Sequence, residues 1–275
     1  MPLEIEGAPS GWPPRRWARV AAIETITPRV RRLRLQGEDL AGFELPNPGG
    51  HVKLILPAAG ESRPAVPLRY EGRTAIWAED AQQPFLRTYT PLHFDPDRLE
   101  LEVDLLVHGE GMASGWVQRA QVGDEVLVAG PRGGWAAPQD GAWYVVAADE
   151  TAIPAAEQVL AALPDASVTV LFEVADAAEE RSIPGTEGHD VRWLHRGNAT
   201  PGVPLETALR DLDLPGAPGY AWVACEAGAM RRIRAHLLHD REMASDHVVT
   251  RGYWKLGAAD HPDGDYGQDD LGHGH

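Results

Sequence analysis

The chain has 275 residues, 43% of them apolar and 24% charged, which are the proportions of an ordinary globular protein with material for more than one core. A formal charge of -16 opposes any polyanion, and no basic run interleaved with aromatics offsets it, so nucleic acid is excluded as the expected partner. No run of about 18 apolar residues occurs and the start, MPLEIEGAPSGWPPRRW, lacks a basic segment leading into an apolar one, so the expectation is a cytoplasmic protein without a membrane partner.

In chain order, β-type patterning covers Arg16 to Ile26, Val30 to Leu35, His51 to Leu56, Leu99 to Val107 and Asp124 to Ala129. In LELEVDL, Leu99, Leu101, Val103 and Leu105 fall on one face and Glu100, Glu102 and Asp104 on the other, as a half-buried strand requires. Strands this close together predict a barrel. The run Val30-Arg31-Arg32-Leu33-Arg34-Leu35 reads as a strand with Arg32 and Arg34 in solvent.

After the turn-rich GPRGGWAAPQDG the period changes. AWYVVAA is a continuous apolar run, DETAIPAAEQVLAAL reads as a helix and SVTVLFEV is another buried run, which together make a parallel βαβ unit. YAWVAC leads into AGAMRRIRAHLLHDRE, in which Met230 to Arg234 reads as an exposed helix face, and HVVTRGYW holds a last strand. The expected fold class is β + α/β: an N-terminal antiparallel β-barrel domain over 1–137, then a parallel-sheet α/β domain over 138–262. A flexible polar tail is expected over 263–275, with His273 and His275 solvated rather than ligating a metal. Cys225 is the single cysteine, which rules out an internal disulfide and a self-contained cysteine-ligated iron–sulfur cluster, so any electron transfer needs an organic cofactor.

Three segments carry candidate chemistry. Arg87-Thr88-Tyr89-Thr90 combines a cation, a flat aromatic and hydroxyls, parts that suit a flavin and equally suit a strand edge. His108-Gly109-Glu110-Gly111-Met112-Ala113-Ser114-Gly115-Trp116 is a small-residue loop entering a helix. Its amides could hold a pyrophosphate, or Ser114 could simply cap the helix. Asp149-Glu150-Thr151-Ala152-Ile153-Pro154 lies where a first strand meets a helix, the place where open parallel sheets bind nucleotides, although a Thr151 cap with Pro154 in the first turn is an equally structural account.

In order and spacing the chain resembles the siderophore-interacting protein family, FAD-dependent ferric-siderophore reductases related to ferredoxin reductases. The likeness rests on HVKLILP at 51–57, RTYT at 87–90, HGEGMASGW at 108–116, GDEVLVAGPRG at 123–133, ADETAIPA at 148–155, WVACEA at 222–227 and RGYWKLG at 251–257. It implies noncovalent FAD held by Arg87, Thr88, Tyr89 and Thr90, with His108, Gly109, Gly111, Met112, Ala113, Ser114 and Trp116 around its pyrophosphate and adenosine. It implies NADH or NADPH facing Asp149, Glu150, Thr151, Ala152 and Ile153, and an anionic ferric siderophore held by Lys53 and Lys255, with Arg251 as a further candidate. No catalytic acid or base is implied, because hydride passes from nicotinamide to flavin and single electrons pass on to iron(III). The chain departs from the family pattern at Leu92, Met112, Ala148 and Cys225, where arginine, proline, glycine and glycine are usual; the contact of the first is either lost or supplied by His93.

Glu173 ends the second parallel strand, where an acid can bond a ribose 2′-hydroxyl and repel a 2′-phosphate, so NADH is favoured, with Arg181 as the opposing phosphate partner. Two other functions fit the same residues: a general NAD(P)H:flavin oxidoreductase with another acceptor, and a non-catalytic siderophore binder.

Overall fold

The computed structural model describes residues 2–109, 111–163, 167–216, 218–258 and 265–267. They form two compact units, Met1–Trp135 and Ala136–His275. The expected tail lies outside the described residues except for 265–267, and His273 and His275 are among those outside.

The first unit contains β1 (Arg15–Thr27), β2 (Val30–Gln36), β3 (His51–Leu56), β4 (Arg69–Glu71), β5 (Thr74–Ile76), β6 (Phe85–Tyr89), β7 (Pro91–Asp95), β8 (Glu100–Leu106), α1 (Met112–Arg119) and β9 (Glu125–Arg132). Seven strands make one antiparallel sheet in the order β6-β3-β9-β1-β2-β8-β7. Its two edge strands, β6 and β7, are joined by one residue, Thr90. A sheet whose outermost strands are so tethered has to curl, which makes it barrel-like.

The alternation in β8 puts Leu101, Val103 and Leu105 in the core with Leu33, Leu35, Val52 and Leu54, and α1 adds Trp116, 1% exposed. The expectation that Arg32 is solvated is corrected by register. Arg32 faces Asp104 across β2 and β8 and forks onto it at 2.7 and 3.0 Å, which is how a carboxylate can be buried there.

The second unit holds β10 (Tyr144–Asp149), α2 (Ile153–Ala161), β11 (Val168–Val174), β12 (Asp190–His195), α3 (Val203–Arg210), β13 (Tyr220–Glu226), α4 (Ala227–Ala235) and β14 (Val248–Trp254). The parallel order β12-β11-β10-β13-β14 places the first strand in the middle and reverses direction of winding between β10 and β13. Sequence reading misses β12 and α3. DVRWLH is an edge strand with partly exposed faces and no apolar run, and VPLETALR buries only Leu205 and Leu209.

The expected exposed face from Met230 to Arg234 is also corrected. Met230 and Ile233 lie in the core and the buried Arg234 donates to the Val248 carbonyl at 3.0 Å, leaving Arg232 as the exposed cation of the run. Among the described residues no helix is long and apolar enough to cross a membrane.

One turn locks this unit. Gly202, at φ +83°, precedes α3, and a Cβ there would stand 2.2 Å from the Ala229 Cβ on α4. Gly202→Ala should therefore lower the unfolding free energy by about 2–4 kcal/mol, since left-handed strain adds to overpacking. Urea titration of the variant checks this, and an unchanged midpoint would refute it.

Candidate cofactor and coenzyme site

In the first unit, Arg87, Thr88 and Tyr89 lie in β6 itself, with Thr90 at the joint to β7. Pairing with β3 sets their faces: Tyr89 opposes Val52 and Arg87 opposes Leu54, while Thr88 opposes Lys53 on the other face. Lys53 is thus a direct cross-strand neighbour of the segment.

The polar ends of this segment are poorly matched within the protein. The half-buried Arg87 guanidinium donates only to the neighbouring Leu86 carbonyl at 2.6 Å and has no carboxylate partner among the described residues. Over the same residues the hydroxyls of Tyr89 and of Thr90, itself 6% exposed, have no hydrogen-bonding partner. Burial pushes the Tyr89 phenol above its ordinary range despite the charge of Arg87, so the hydroxyl stays a donor. These groups keep contact with solvent, and a ligand with a phosphate and a polar ring edge could pair with them.

The 108–116 loop adds amides. α1 starts at Met112 after Gly111, with no side-chain cap, which sets aside Ser114 as N-cap. The Ser114 hydroxyl instead accepts from the His108 amide and donates to the His108 carbonyl, both at 3.0 Å, and closes the loop. His108, Gly109, Gly111 and Met112 are exposed and Ala113 is half-buried. Ser114 and Trp116 were expected at the ligand, but both are enclosed, so their contribution is to hold the loop.

In the second unit the winding reverses between β10 and β13, which end in Asp149 and Glu226. This is where such sheets hold nucleotides. Asp149 is 2% exposed; its Oδ1 accepts from the Thr151 amide at 3.0 Å and hydroxyl at 2.5 Å, and its Oδ2 accepts from Trp254 Nε1 at 2.8 Å. Burial first, and then the neighbouring Glu150 charge, push the Asp149 carboxyl up to about 7, against the lowering by Thr151 and Trp254. Thr151 is therefore bonded to Asp149, and the residue capping α2 is Ala152.

Three expected contacts are corrected here. Ala152 and Ile153 turn their side chains into the core, leaving only backbone to a ligand. Glu173 is fully enclosed; it accepts from the Gly202 amide at 2.8 Å, the Leu205 amide at 3.0 Å and Arg196 at 3.2 Å, so its carboxylate is turned inward and not presented to a ribose. The acid exposed past the end of β11 is Asp176, whose Oδ1 caps the Ala178 amide.

Trp254 and Arg196 were not legible as site residues. The available signal for Trp254 was its place beside Lys255, which is exposed, and Arg196 gave none. Arg251 is half-buried with its guanidinium 3.9 Å from the Tyr266 ring. Burial also pushes the Cys225 thiol up, so it is a neutral core group.

The profile of the siderophore-interacting FAD-binding domain matches residues 19–135, and that of the siderophore-interacting protein matches 141–257. The ferric vibriobactin reductase of Vibrio cholerae is 32% identical over 236 residues, covering 84% of this chain and 86% of that protein. The chain belongs to the siderophore-interacting protein family. Another relative of this siderophore-interacting protein, the NADPH-dependent ferric-chelate reductase of Escherichia coli, is 29% identical over 86% of this chain and 91% of its own. The crystal structure of a siderophore utilization protein from T. fusca superposes with a TM-score of 0.79 at 37% identity, over 90% of this chain and 95% of that one.

Asp149 sets a pH dependence for this siderophore-interacting protein. Its carboxyl titrates near 3.8 when unperturbed and about 7 when folded, so between those values the folded state holds the extra proton. The unfolding free energy therefore falls as pH rises through that window. Asp149→Asn cannot ionise, so its stability relative to the parent should shift in the variant's favour from pH about 4 to about 7. Thermal melts of both proteins across that range measure the trend, and a shift in the parent's favour would sink the assignment.

Proposed function

We propose that this protein is a flavin-dependent reductase that takes electrons from NAD(P)H through noncovalently bound FAD to a ferric siderophore, releasing iron as iron(II). The observation that carries the reading is the run of weakly matched polar groups on Arg87, Tyr89 and Thr90, in a unit that also contains a helix start without a side-chain cap. When bound, FAD accepts two electrons together as hydride and releases them singly, which suits a one-electron acceptor such as iron(III).

The chain's own residues bind and orient. Arg87 supplies a charge-assisted contact to phosphate, Tyr89 a flat surface and a hydroxyl donor, and Thr90 a hydroxyl at the ring edge. Amides at Gly111 to Ala113 face the pyrophosphate at the start of α1, where the helix dipole favours an anion. At the carboxyl end of the second sheet, Asp149 holds the turn through Thr151 and anchors Trp254, and the backbone of Ala152 and Ile153 lines the nicotinamide.

Lys53 and Lys255 supply positive charge to an anionic chelate, which the overall charge of -16 otherwise repels. Iron(II) binds hard oxygen donors less tightly than iron(III), so reduction weakens the chelate without a catalytic acid or base. NADH is the preferred coenzyme, supported by the acidic surroundings of the carboxyl end: Asp149, Glu150, Glu173 and Asp176 against Arg196.

The purified protein should show FAD absorbance, bleach with NADH under anaerobic conditions and recover colour on adding a ferric chelate, with iron(II) trapped by a ferrous-specific dye. Absence of flavin bands after reconstitution would refute the reading. Arg87→Ala and Tyr89→Ala should each lower FAD retention, measured by dialysis. Lys53→Ala and Lys255→Ala should each raise the KM for an anionic chelate several-fold, on the order of 1 kcal/mol, with an effect that shrinks in salt and spares flavin bleaching. Wild-type KM at low ionic strength in both would displace the substrate site.

A further inference from the structure

Arg196 is the first residue after β12, and the chain stays zipped to the end of β11 there: the Arg196 amide donates to the Val174 carbonyl at 2.8 Å and the Gly197 amide to the Ala175 carbonyl at 2.9 Å. This holds Arg196 at the carboxyl end of β11, one strand away from the central β10. Glu150 directly follows β10 and reaches across to meet it. The two are joined fork to fork, Nη2 to Oε1 at 2.7 Å and Nη1 to Oε2 at 2.8 Å, and Nη1 also donates to Glu173 at 3.2 Å. Their side chains are 12% and 11% exposed, so the bridge is shielded from solvent but touches the surface.

In open parallel sheets of this winding, the carboxyl end of the strand beside the first one meets the adenosine ribose. An acid there accepts from a 2′-hydroxyl, and a free arginine fork there receives a 2′-phosphate. This site contains the arginine and withholds it. Glu150 occupies the bidentate edge, Glu173 takes a further donor, and two carboxylates against one guanidinium leave the group net negative. A phosphate entering here would have to displace Glu150 from a pair in which the remaining carboxylate, Glu173, has no solvent to turn to.

We infer that the Glu150–Arg196 pair is the coenzyme selector of this protein: it excludes the 2′-phosphate of NADPH by holding the arginine fork closed, and its opening converts the site to one that accepts that phosphate. The inference rests on the reading of this crevice as the nicotinamide-coenzyme site. A bridge that only fastens the fold would alter stability and leave the discrimination between the two nucleotides untouched.

The test measures binding to the FAD-loaded protein by calorimetry, using 5′-AMP, 2′,5′-ADP, NADH and NADPH. The unaltered protein should bind 5′-AMP more tightly than 2′,5′-ADP, a comparison that needs no variant. Glu150→Gln keeps the shape of the side chain and removes the charge. It should raise affinity for 2′,5′-ADP relative to 5′-AMP, and for NADPH relative to NADH, on the order of tenfold, the usual worth of a hydrogen bond to a charged group. Adding Arg196→Lys in the Glu150→Gln background should abolish that gain, because lysine lacks the fork. If NADH binds and the ratio of 2′,5′-ADP to 5′-AMP affinity is the same in parent and Glu150→Gln, the selector is refuted while the coenzyme site stands. If 2′,5′-ADP binds the unaltered protein more tightly than 5′-AMP, the selector is refuted as well. If neither NADH nor NADPH binds the unaltered protein, both the selector and the coenzyme reading fall.

Discussion

A charge removed from water has to be matched, and that constraint organises both units of this acidic chain. Glu173 has no exposure, so it gathers the amides of Gly202 and Leu205 and the guanidinium of Arg196, and in doing so it pins the start of α3 and the end of β12 to β11. Asp104 is buried on β8 with Arg32 standing opposite it on β2 and forked onto it. Glu226 repeats the pattern at the end of β13, accepting from the amides of Ala229 and Leu256. In each case a strand carboxylate has been turned into a fastener for a neighbouring element.

Against that background the exceptions are informative. Arg87 finds only a neighbouring carbonyl, and the Tyr89 and Thr90 hydroxyls find nothing among the described residues. Buried atoms without a partner occur elsewhere too, at Arg16 Nε and Arg234 Nε, but Arg87, Tyr89 and Thr90 gather three weakly matched polar groups within four consecutive residues. Asp149 is intermediate: it is satisfied by Thr151 and Trp254, yet burial lifts its carboxyl to about 7, so the turn it holds is responsive to proton concentration near neutrality.

Much of the architecture was legible because apolar periodicity is a local property. The alternation in LELEVDL, the solid runs AWYVVAA and SVTVLFEV, and the turn-rich GPRGGWAAPQDG each announce an element or a boundary without reference to distant residues. β12 was illegible for the complementary reason: an edge strand such as DVRWLH buries little and needs no apolar run. The arginine runs misled in the same way in both units. A cation in a sequence looks solvated until its partner is known, and the partners of Arg32 and Arg234 lie 72 and 14 residues away.

By itself the sequence determined the class of fold, the order of its elements and the RTYT, HGEGMASGW and DET segments as places where a flavin and a nucleotide could be held, since these depend on residue type and short spacing. Only the tertiary structure decided which side chains remain available. It showed Trp116, Ala152 and Ile153 packed into cores, Glu173 consumed by a helix start, Trp254 hydrogen-bonded to Asp149, and Arg196 gripped by Glu150 from 46 residues away. Availability depends on who else is near, and strand pairing brings together residues whose separation along the chain carries no trace of their contact.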